Sequence, residues 1–330
     1  MKKQVIAAAV ASTLSVAALA DISITGQMKS NYTHTDYDSS MVNDSDIVKN
    51  EGDLYVKGSN GDTSVVMNFS IADHTSADNS ASTQNAIEDA YMTTKVGDIS
   101  LKVGQWDNGN NAMRASSRKA GKLEASTEMG GVGIKFATTN ASDDELTLST
   151  SIGGVSASFK QKNAGEDYSV SGSVAGINAS YSVIGSDTAN SDKSYVELST
   201  SLGGVGVKYG KAEADSAVCL DGDTWLGDFE DTTNFTCQSV YNDGSSVWQL
   251  NKGQDLTGLE LSTSLQGNAV KFRTVSSDDL AGADTTYNKV IVTRPLASGT
   301  TFELTYTDVS DDAEVTTDYN SLDLELAVKF

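Results

Sequence analysis

The chain ends on Leu322-Asp323-Leu324-Glu325-Leu326-Ala327-Val328-Lys329-Phe330, where apolar and polar residues alternate almost without a break and the last residue is aromatic. Successive side chains of a strand leave on opposite faces, so this segment is apolar on one side and polar on the other. Left as a free edge, such a strand would recruit other chains. A membrane-spanning barrel removes the edge by pairing its last strand with its first. It also satisfies every backbone polar group internally, as the hydrocarbon requires. The ending therefore predicts an all-β fold, a transmembrane antiparallel β-barrel.

The same alternation recurs as a repeated unit. Leu148-Ser-Thr-Ser-Ile-Gly-Gly-Val-Ser-Ala-Ser-Phe159 and Leu198-Ser-Thr-Ser-Leu-Gly-Gly-Val-Gly-Val-Lys-Tyr209 are near copies, further ones run over 125–136 and 261–272, and a weaker one runs through Ala175-Gly176-Ile177 to Tyr181. Each reads as strand, tight turn, strand, because glycine supplies the positive φ that two-residue hairpin turns need. In five copies an aromatic falls five residues after the turn glycine: Phe136, Phe159, Tyr181, Tyr209 and Phe272. The opposite face carries Lys135, Lys160, Lys208, Lys271 and Arg273 among Ser and Asn. That suits the polar wall of an aqueous lumen. The solvent face of a soluble sandwich would alternate in the same way.

Weaker turns stand at Asn60-Gly61, Gly97-Asp98 and Ser298-Gly299. Longer polar segments lie between the turns, at 34–50, 73–86, 107–121, 140–145, 163–167, 185–193, 212–257, 277–287 and 308–320. Eight turns and nine long connections give eighteen strands, and allowing for one false hairpin gives 16–18. Turns fall on the periplasmic side and long loops outside in barrels of this kind. A barrel this wide holds an open channel rather than a packed interior.

Composition agrees. Glycine is frequent at 29 residues, proline occurs once, and no apolar run after residue 20 nears the ~18 residues of a membrane helix. Lys2 and Lys3 precede a short apolar stretch, and Ala18-Leu19-Ala20 offers an A-x-A cleavage site before Asp21. Residues 1–20 thus read as a secretory signal peptide. With no linker-like break, residues 21–330 read as one barrel domain. The net charge of −22 becomes −24 once Lys2 and Lys3 are removed, and such acidity argues against nucleic-acid binding, which needs clustered Lys and Arg.

With these ends and this rhythm of turns and loops, residues 21–330 resemble the general porins of Gram-negative outer membranes. The resemblance implies a homotrimer embedded in outer-membrane lipid. Each barrel would be a pore for passive diffusion of small hydrophilic solutes and ions, working without a cofactor. In that family the third long loop folds inward and narrows the pore. The segment after Val103-Gly-Gln-Trp-Asp107 is similar in position and in its entry, so Asp107, Arg114, Arg118, Lys119 and Lys122 become candidates for the pore constriction. Two of the four arginines fall within five residues there. The plainer alternative is an ordinary extracellular loop. Charge at a narrowing sets ion selectivity. The acidic excess argues for a weak cation preference, and the lysines and arginines along the pore argue the other way.

Cys219 and Cys237 form an even pair in a stretch where the repeat is absent, and an oxidising compartment makes a disulfide their default. Asp221-Gly-Asp223 and Asp228-Phe-Glu230-Asp231 crowd oxygen ligands nearby, leaving Ca²⁺ as an alternative, but their spacing is not that of an EF-hand. His34 and His74, both read as loop residues, are the only histidines, and no nucleophile or metal motif accompanies them. No enzyme is expected. A substrate-specific channel, marked by inward aromatics such as Trp106 and Tyr195, and a secreted β-rich adhesin are the rival functions.

Overall fold

Eighteen strands form one antiparallel sheet in which each pairs with its neighbours in sequence, and the last returns to the first. They are β1 (Asp21–Tyr37), β2 (Ser45–Asn60), β3 (Thr63–Thr75), β4 (Ile87–Val96), β5 (Ile99–Asp107) and β6 (Arg118–Met129). β7 (Val132–Thr138), β8 (Glu145–Ile152), β9 (Val155–Lys162), β10 (Gly165–Val174), β11 (Ile177–Ile184) and β12 (Lys193–Leu202) follow. The circuit is completed by β13 (Val205–Ala214), β14 (Asp255–Leu265), β15 (Asn268–Asp278), β16 (Asp284–Ala297), β17 (Thr300–Asp311) and β18 (Tyr319–Lys329). The computed structural model describes residues 21–38, 44–75, 87–107, 118–138, 144–215, 225–226, 255–278, 284–297, 299–311 and 318–330.

Closure is made by the segment that decides the sequence reading. β18 pairs with β1 in continuous register from Lys329 opposite Gln27 to Tyr319 opposite Tyr37. Phe330 extends the ladder by one exchange with Gly26, with N–H···O distances of 2.8 and 3.0 Å. Among the described residues no edge strand remains.

One end of the barrel carries the predicted tight turns. Both glycines of Gly130-Gly131, Gly153-Gly154 and Gly203-Gly204 have positive φ, the geometry that matches the right-handed twist of a two-residue hairpin. Proline lacks the N–H a ladder needs, and Pro295 sits at a register shift between β16 and β17, where it does little harm.

The other end differs in detail from expectation. The connection read at 163–167 is only a two-residue turn between β9 and β10. His34 lies within β1 and His74 within β3, so neither is a loop residue. Here β1, β2 and β3, at 17, 16 and 13 residues, run beyond the ~9–11 residues a membrane crossing needs, taking in polar sequence that alone reads as loop. The imidazole Nδ1 of His34 lies 2.9 Å from the Asp46 carboxylate on the neighbouring strand, which also accepts a hydrogen bond of 2.7 Å from Tyr32.

The two faces sort as the alternation predicts. Phe136, Tyr181, Tyr209 and Phe272 are exposed on the outside together with Leu198, Leu261 and Leu326. The polar face is the sheltered one, where Glu260, Arg273, Lys289, Thr307 and Asp323 are buried. A soluble sandwich would do the reverse and bury its apolar faces. The inverted arrangement is that of a barrel in lipid.

Candidate functional site: the channel wall

The wall residues expected from the repeat, Lys135, Lys160, Lys208, Lys271 and Arg273, all lie on the inward face. Four of them meet carboxylates on adjacent strands. Lys135 Nζ is 3.5 Å from Glu124, and Lys160 Nζ is 3.5 Å from Glu145 and 3.9 Å from Asp167. Lys208 Nζ approaches Glu260 to 3.8 Å, and Arg273 Nε donates to Glu260 at 2.6 Å. Lys29 and Glu325 make a similar pair at 3.6 Å across the β1–β18 closure. Each pair follows from register, since the partners face one another or lie one diagonal apart on neighbouring strands. The lumen is thereby paved with both signs of charge.

Of the candidates near the third long connection, Lys122 is seen in full. It is buried on β6, with its ammonium 4.5 Å from the Trp106 ring centroid. Lys102 Nζ stands 4.3 Å from the same ring and 3.9 Å from that of Tyr91. Trp106 packs edge-on against Tyr91 with centroids 6.0 Å apart. Cation–π contacts of this kind contribute about 0.5–2 kcal/mol each. Asp107 pairs with Arg118 and Trp106 with Lys119 in the β5–β6 ladder, so the proposed constriction segment begins and ends in strand. Arg114 lies outside the described residues, as do Cys219, Cys237 and the 221–223 and 228–231 acidic clusters.

The lumen is also occupied at a place the sequence reading did not single out. Trp225 and Leu226, between β13 and β14, lie against the inner wall. Leu226 is fully buried, within a cluster of Ala212, Ala214, Leu256, Val275, Tyr287, Val309 and Tyr319 that Trp225 and Tyr195 flank. The Trp225 indole N–H points to Tyr195 Oη at 2.9 Å and to Glu197 Oε2 at 3.0 Å. Lys208 Nζ lies 5.2 Å from the indole centroid. The signal was present in the inward positions of β13 and β14. Where other strands place Ser and Lys, these place Gly210, Ala212, Ala214, Leu256 and Gly258.

No protein-family model matches the chain, and no curated protein matches it. Solved structures do. The OccK3 (OpdO) structure from Pseudomonas aeruginosa superposes with a TM-score of 0.63 at 13% identity, over 94% of this chain and 96% of that one. OccAB4 from Acinetobacter baumannii gives 0.64 at 9% identity, over 94% and 98%. A BenF-like porin from Pseudomonas fluorescens Pf-5 gives 0.65 at 10% identity, over 94% and 99%. The chain thus has the fold of an outer-membrane porin along nearly its whole length.

Proposed function

We propose that the protein is an outer-membrane channel of a Gram-negative bacterium, through which small hydrophilic solutes and ions pass down their gradients. The observation that carries this reading is the inverted barrel: apolar side chains outside, and inside a wall of ion pairs such as Lys160 with Glu145 and Asp167. A wall of fixed charges presents oriented polar groups to a hydrated solute and rejects apolar ones, with no energy source required. Residues 1–20 would direct export and be removed before Asp21. Asp107, Arg114, Arg118, Lys119 and Lys122 would contribute charge on the β5–β6 side, and Cys219 and Cys237 would form a disulfide.

The balance of lumenal charge leaves selectivity to the acidic excess of the whole chain, which attracts cations at the mouths through a field that salt screens within ~10 Å. A weak cation preference follows. The homotrimer rests on the likeness to general porins of about sixteen strands; eighteen strands weaken that ground. A second reading, a substrate-specific channel, gains from the inward aromatics. Trp106 and Tyr195 are both lumenal, and Tyr91 and Trp225 join them.

Planar-bilayer recording of the detergent-purified protein tests these readings. Discrete conductance steps are expected, with a reversal potential of cationic sign in a salt gradient. Steps grouped in threes would support a trimer, and saturation with one solute would favour the substrate-specific reading. Folded protein that gives no steps would overturn the channel.

A further inference from the structure

We propose that Trp225 and Leu226 form a wedge that sets the bore of the channel on the β12–β15 side, and that the wall holds the indole as it would a tethered aromatic ligand. This rests on the channel reading above. It assigns the narrowing to a different part of the chain from the 107–122 segment.

The wall is shaped for this occupant. Gly210 on β13 and Gly258 on β14 stand directly opposite one another in the ladder, although 48 positions apart in sequence. A Cβ added at Gly210 would lie 2.6 Å from Trp225 Cζ2, and one at Gly258 would lie 3.1 Å from Trp225 Cζ3 while colliding with the Leu226 side chain. The missing side chains leave a slot in the wall that the Trp225 ring and the Leu226 side chain occupy. Neither glycine has positive φ, so backbone conformation does not demand glycine at either position.

Three further features match the chemistry of an indole. The N–H edge meets two acceptors, Tyr195 Oη and Glu197 Oε2, and Tyr195 itself donates to the same Glu197 oxygen at 2.6 Å. The ring is approached by the Lys208 ammonium. Beyond the ring, Ala212, Ala214, Leu256 and Val275 make the wall apolar where Leu226 covers it. An apolar patch would be a poor lining for a water-filled lumen, and burial of Leu226 removes it from water. Slot, acceptor pair, cation and apolar floor together define a seat for a flat aromatic bearing an N–H donor.

The test is single-channel recording of Trp225→Ala, with free indole as the probe, on protein whose folding is verified by heat-modifiable gel mobility. A conductance above wild type is expected, with indole returning it toward the wild-type step while leaving wild-type channels unchanged. Gly258→Val fills the slot from the wall side and should raise conductance in the same way, without an indole response. A Trp225→Ala conductance equal to wild type, or one that indole does not lower, overturns the wedge and leaves the channel standing. Absence of steps from wild-type protein would instead remove the channel reading itself.

Discussion

Glu260→Ala should destabilise the folded barrel by about 3–5 kcal/mol, the usual result of removing one partner from a buried ion pair. Glu260 is only 5% exposed, and Arg273 beside it 8%. Its carboxylate binds Arg273 and lies near Lys208, and Lys289, 3% exposed, stands opposite Arg273 in the β15–β16 ladder. Without the carboxylate, Arg273 and Lys208 lose the counter-charge they share, with the Lys289 charge on the next strand. The loss is read from thermal unfolding in detergent, with circular dichroism following the β-structure. Glu260→Gln keeps an acceptor for Arg273 and should lose less. Recordings from protein that still folds should also shift toward anions. A melting temperature unchanged in Glu260→Ala would mean that water compensates these cations.

Phe272→Lys should cost a comparable amount for the opposite reason. Phe272 lies five residues above the turn at Gln266-Gly267 and faces outward at 39% exposure. At about 3.3 Å per residue and a tilt near 40°, it sits roughly 12 Å above the turn, close to the middle of a ~25 Å apolar band. A lysine on the lipid face at that depth costs about 2–4 kcal/mol, in addition to the lost phenyl contacts. Lys271→Leu, one position earlier but inside, should cost far less, since it removes a charge from a polar lumen. Urea-driven unfolding from lipid vesicles measures both. Equal losses in the two variants would mean that the faces are not divided between lipid and water.

Much of this architecture is legible from local rules. The paired glycines at 130–131, 153–154 and 203–204 announce hairpins, and period-two alternation separates Lys135 from Phe136. Counting turns against polar stretches reaches eighteen strands. What stays hidden depends on which strands stand side by side at a given height. Gly210 and Gly258 read as two weak points in two strands. Only the cross-strand register turns them into one slot, and only the slot explains why Trp225 is lumenal. A basic segment such as 107–122 attracts notice because its charges are contiguous. Arg118, Lys119 and Lys122 nonetheless belong to β6, where their backbones are committed to the ladder with β5. His34 reads as a loop residue for a related reason, as polar residues at the upper end of a long strand look the same as a loop.

The division of the wall into a wet face and a lipid face is open to direct test by cysteine substitution, in a chain with Cys219 and Cys237 replaced by serine. A charged, membrane-impermeant thiol reagent is added during single-channel recording. Lys135→Cys and Lys271→Cys should react and step the conductance, whereas Phe136→Cys and Phe272→Cys, one residue further along the same strands, should leave it unchanged. Reaction at Phe136→Cys and Phe272→Cys with silence at the lysine positions would contradict an aqueous channel lined by this face.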